Sequence, residues 1–149
     1  MKKAGLTALA GITLLLFIHT NAIAHCEIPC GIYDDEMRVH MIMEHITTIE
    51  KSMNQINALA GKKPVDYNQL VRWVNNKEQH ANEAQHIITQ YFMTQRIKPD
   101  MGKYTENLEL LHNMLIYFMK CKQTTDLDHV KKLRTLTKAF HDLYFSKKK

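Results

Sequence analysis

The spacing of apolar residues between positions 42 and 56 limits this chain more than any other feature. Ile42, Ile46, Ile49, Met53 and Ile56 step by 4, 3, 4 and 3 residues, the interval that lines one face of an α-helix and forms a bundle seam. Three further segments carry such a stripe. One runs from about Asp66 to Arg96 through Tyr67, Leu70, Val74, Ala81, Ala84, Ile88 and Phe92. The next runs from about Tyr104 to Lys120 through Leu108, Leu111, Leu115 and Phe118. The last follows Thr124-Thr125-Asp126 and passes through Val130, Leu133, Thr137, Phe140 and Tyr144. Gly61-Lys62-Lys63-Pro64 and Lys98-Pro99-Asp100-Met101-Gly102 break the chain between them. Asp34 is placed to cap the first helix, and Asp35 and Glu36 bring to its first turn the charge that suits an N-terminus. No segment alternates with the period of a strand. The expected fold is all-α, an antiparallel four-helix bundle over residues 34–149.

The chain begins differently. Lys2 and Lys3 precede an apolar stretch from Leu6 to Ile18, and Ala22 and Ala24 sit where a signal peptidase reads small residues. Residues 1–24 are therefore expected to be a cleaved signal peptide. A membrane anchor is the competing reading, but it needs about 20 consecutive apolar residues, and His19, Thr20 and Asn21 interrupt this one. The mature chain is expected to be exported, to periplasm or medium, and to carry no membrane segment.

Cleavage after Ala24 would make His25 the first residue and turn the following peptide into a chelator. The freed amine of His25 and the amide nitrogen of Cys26 close a five-membered ring around a metal ion, and that nitrogen with the Cys26 sulfur closes a second. Cys30 supplies another thiolate, and the His25 imidazole is free to sit above the plane. Square-planar sites of this kind suit nickel or copper, whereas zinc prefers a tetrahedron. Pro29 fixes one backbone angle and Gly31 permits a sharp turn. Residues 25–33 thus form a metal-binding hook ahead of the bundle.

Three cysteines in an exported chain also invite a disulfide, either Cys26 with Cys30 or one of them with Cys121. Cys121, just past an apolar helical run, reads as a lone half-buried thiol. A second metal reading comes from Glu83-Ala84-Gln85-His86 and Glu109-Leu110-Leu111-His112, both Glu-x-x-His, the spacing of di-iron bundles. Periodicity turns these residues about 100° from the buried stripes, which makes them polar flanks. His40, His45 and His80 read as surface or interface histidines. Met37, Met41 and Met43 read as core or interface packing.

The formal charge of +5 falls to +3 once Lys2 and Lys3 leave, and part of the remainder is the solvated tail Lys147-Lys148-Lys149. No basic stripe interleaved with aromatics suggests nucleic acid as a partner.

His25-Cys26-Glu27-Ile28-Pro29-Cys30-Gly31-Ile32-Tyr33-Asp34 resembles the hook of nickel-containing superoxide dismutases, His-Cys-x-x-Pro-Cys-Gly-x-Tyr. The resemblance continues more loosely through Lys77-Glu78-Gln79 and the Lys98-Pro99 break. It implies one nickel ion per subunit, bound by the His25 amine and imidazole, the Cys26 amide and thiolate, and the Cys30 thiolate. It further implies a homohexamer of four-helix bundles, with Tyr33 over the open face of the metal, ordering water or superoxide. The chain departs from the family where a first-helix glutamate and a second-helix arginine steady the axial imidazole, because Met41 and His80 align there. A second family tyrosine aligns near Gln95 or Arg96, which leaves Tyr33 to act alone.

The implied reaction is conversion of superoxide to dioxygen and hydrogen peroxide by a nickel ion cycling between its divalent and trivalent states. Two thiolates and a deprotonated amide are anionic donors that stabilise the oxidised state. The alternative is an exported, non-catalytic bundle whose hook chelates nickel or copper.

Overall fold

The computed structural model describes residues 26–146; His25, the expected signal peptide and the Lys147-Lys148-Lys149 tail lie outside the described residues. Four α-helices follow one another: α1 (Asp35–Ala60), α2 (Tyr67–His86), α3 (Tyr104–Gln123) and α4 (Leu127–Phe145). Each packs on two others, in the cyclic order α1, α2, α3, α4 and back to α1. Short connections between successive helices give the antiparallel bundle its up-and-down course.

The caps follow the sequence. Asp34, Asp66 and Asp126 accept backbone hydrogen bonds from Met37, Gln69 and Asp128, satisfying amides that have no partner within their helices. The opposite end of α3 is closed by Lys77, buried on α2, whose Nζ donates to the Cys121 carbonyl at 2.7 Å and also to that of Lys122. A cation there complements the negative end of the helix.

The expected seam of α1 is buried along its length, and Val39 and Leu59 extend it. Val130, Leu133, Thr137 and Phe140 of α4 face it as expected. On α3 the buried stripe is Leu111, Met114, Phe118 and Cys121, while Leu108 and Leu115 pack at its margin. Phe92 sits edge-on to Phe140 at 5.0 Å between ring centroids, a geometry worth about 0.5–1.5 kcal/mol beyond area burial.

Two expectations need correction. The apolar face of the first half of α2 is not core: Tyr67 is 70% exposed, and Val71 and Val74 are exposed as well. Periodicity shows that a helix has an apolar face, not that the same chain covers it. The second helix also changes its winding. After His86 the chain continues from Ile87 to Arg96 as a π-helix, with wider turns closed by i→i+5 bonds. On an α-helix, residues five apart point about 140° away from each other. The wider π turn brings Tyr91 and Arg96 to one side, where both reach Asp35.

Candidate metal centre

Asp35 sits in the first turn of α1 as expected and is only 5% exposed. Arg96 donates to it twice, Nε to Oδ1 and Nη2 to Oδ2, each at 2.8 Å. The hydroxyls of Tyr91 and Tyr144 add bonds of 2.7 and 3.0 Å. Burial by itself would raise the Asp35 carboxyl, but the bonds from Arg96, Tyr91 and Tyr144 outweigh it and hold the group below the usual carboxylate range. The same burial and the Asp35 charge push the Tyr91 hydroxyl well up. Tyr144 is raised to about 12 by burial and then by Asp35. This network fixes the end of the π-helix to the start of α1, and the hook lies across that junction.

The hook turns at Pro29, whose carbonyl accepts from the Ile32 amide at 3.2 Å. Gly31 takes φ +93°, a left-handed conformation that only glycine adopts without strain. The turn brings the Sγ atoms of Cys26 and Cys30 to 3.8 Å, with no disulfide formed. Two metal–sulfur bonds of about 2.3 Å each span that gap with room to spare, so both sulfurs can reach one ion. Tyr33 lies against Cys30. Its hydrogen bond, then that of Cys26, holds the Cys30 thiol below its ordinary range, with a smaller pull from the charge of Lys98. The same bond raises the Tyr33 hydroxyl. A thiol eased toward thiolate beside a second thiol is a donor pair that suits a transition metal with an affinity for sulfur.

Tyr33 is braced from two sides. The Arg96 guanidinium carbon lies 4.1 Å from its ring centroid, and Tyr91 meets it edge-on at 6.1 Å. Two contacts tie the rest of the hook to the second helix: Gln95 Nε2 to the Ile28 carbonyl at 3.4 Å and Glu27 to His86 at 3.4 Å. Sequence reasoning missed Arg96 and Asp35, because the π winding that aligns them leaves no mark in apolar spacing.

The remaining candidates separate. Cys121 is fully buried, further than expected, and burial pushes its thiol up to about 12. His112 and Glu109 are exposed on α3. His86 points to the hook rather than into the bundle, so the two Glu-x-x-His motifs do not converge on a di-iron site. His45 and His80, read as surface or interface histidines, face each other between α1 and α2 with Nδ1 atoms 2.8 Å apart. Burial, and then His80, holds His45 below the usual imidazole range.

The structure thus presents a four-helix bundle with a pair of close thiols at its N-terminal approach, outside the helical core. The family model for nickel-containing superoxide dismutase matches residues 20–148, and the chain belongs to that family. It is thus an oxidoreductase that acts on superoxide and uses nickel. Searches of curated proteins and of solved structures returned no match.

Proposed function

We propose that this chain is exported, cleaved after Ala24, and holds nickel in the hook through His25, Cys26 and Cys30. The observation that carries the reading is the 3.8 Å approach of the Cys26 and Cys30 sulfurs inside the span that the family model matches. Bound there, nickel supplies a one-electron couple between its divalent and trivalent states.

The chain's own residues do the rest. Lys98 places positive charge beside the hook, which favours approach of an anion such as superoxide. Tyr33 keeps its proton, because the neighbouring Cys30 raises its hydroxyl, and so stands as a hydrogen-bond donor at Oη. Two superoxide anions and two protons give one dioxygen and one hydrogen peroxide, so a held proton near the thiols serves the reduced product. Gly31 and Pro29 set the turn, while Arg96 keeps the Tyr33 ring in place. The exposed Tyr67, Val71 and Val74 of α2 and the exposed Ile32 beside the hook support association of copies, up to the hexamer that the family resemblance implies.

N-terminal sequencing of the mature protein, metal analysis and superoxide turnover on one sample test the proposal. The expected result is an N-terminus at His25, one nickel per chain and turnover that disappears with the metal. Nickel bound without turnover would leave a chelator in its place.

A further inference from the structure

Between them, α1 and α2 bring three further donors together. His45 comes from α1, and His80 and Glu83 come from one face of α2, three residues apart. His45 Nδ1 and His80 Nδ1 are 2.8 Å apart. Glu83 Oε2 is 3.6 Å from the first and 3.8 Å from the second. We propose that His45, His80 and Glu83 form a second metal site, distinct from the thiol pair of the hook, for a divalent cation of the zinc type.

The triangle itself carries the argument. A circle through three points at these separations (the product of the sides over four times the area) has a radius of about 2.0 Å, the length of a zinc bond to imidazole or carboxylate. An ion lifted slightly out of that plane, toward a fourth ligand, stays within about 2.1 Å of all three atoms without any movement of the helices. A hydrogen bond between two neutral imidazoles accounts for the shortest side but not for the placing of Glu83. That carboxylate is oriented from behind: Gln79 Nε2 donates to Oε1 at 2.8 Å, leaving Oε2 toward the histidines, as outer-sphere partners of metal ligands do. His45 and Glu83 also line a cavity of about 500 Å3 shared with Met41, His86 and Glu27. That gives an ion a way in and water a place for the fourth position. Two imidazoles and one carboxylate are a donor set that zinc takes, and copper, which binds such ligands more tightly still, would compete for it.

Zinc titration of the mature Cys26→Ser/Cys30→Ser protein removes the thiolate ligands of the hook, and the substitutions at His80 and Glu83 separate this site from the nitrogen donors that remain at His25. One zinc should bind per chain and raise the melting temperature, because the ion pins α1 to α2. His80→Ala in that background should abolish both effects with helicity unchanged. Glu83→Gln, half-buried and of the same shape, should weaken zinc binding by at least tenfold. Retention of the zinc isotherm in the His80→Ala and Glu83→Gln proteins would overturn the proposal. So would the absence of zinc binding in the folded double-serine protein.

Discussion

The guanidinium carbon of Arg96 lies 4.1 Å from the ring centroid of Tyr33 while the same side chain makes two 2.8 Å bonds to Asp35. One arginine thus joins the buried start of the bundle to the tyrosine beside the thiols. A lysine can replace its charge but not its fork.

Breaking that junction should be costly. Asp35→Ala leaves Arg96 without its carboxylate in a half-buried position, and the loss should be about 3–5 kcal/mol, read by chemical denaturation. The stabilisation from Asp35 also depends on pH. Its folded pKa lies below the ordinary value, so its contribution is complete above about pH 4 and disappears as pH falls through the folded pKa. Asp35→Asn should therefore flatten the acid limb of the stability profile below about pH 4. An unchanged acid limb would show that the carboxylate is not held as described.

The thiols should divide by role. Cys26→Ser and Cys30→Ser are expected to lose nickel and superoxide turnover with helical content intact, since both precede α1. Cys121→Ser should keep both and lose only about 1–3 kcal/mol of stability, because it sets a hydroxyl in a buried site. Metal content and circular dichroism on the same samples decide the matter.

The link between Tyr33 and Cys30 can be read without metal. Tyr33→Phe removes the bond that lowers the Cys30 thiol, so alkylation of Cys30 in the apo-protein should move to higher pH. A profile that stays in place would mean that the phenol does not govern the thiol.

If the N-terminal amine of His25 is a ligand, its acylation should be fatal to the site. A mature form with one extra alanine ahead of His25 should bind nickel poorly and turn over no superoxide. Full activity in that form would remove the amine from the ligand set. Uptake by the unmodified protein should also weaken as pH falls below about 7, because the amine and thiols must shed protons to bind.

The bundle was legible because its seams are long. Ile42 to Ile56 and Val130 to Phe140 repeat often enough that only a helix fits, and capping aspartates mark the starts. The meeting of Cys26 and Cys30 was legible because the two thiols are close in sequence, on either side of Pro29. What escaped came from two sources. Arg96, Tyr91 and Asp35 meet only because residues 87–96 wind as a π-helix, which apolar spacing does not encode. His45, His80 and Glu83 meet because two helices pack in one register, and single-helix periodicity says nothing of that register. The exposed Tyr67, Val71 and Val74 show the reverse limit, since a stripe on a helix does not name its partner.

The contrast between Cys30, exposed on the hook, and Cys121, sealed between helices, gives the chain two clocks. Chemistry at Cys30 runs at the pace of the thiol and its reagent, with no part of the bundle needing to open. Chemistry at Cys121 waits for local or global opening, which is slow in a packed core. Oxidative damage from the peroxide that this enzyme makes would therefore strike the hook long before it reached the fold. A worn molecule would remain a folded, long-lived bundle with a spent N-terminus.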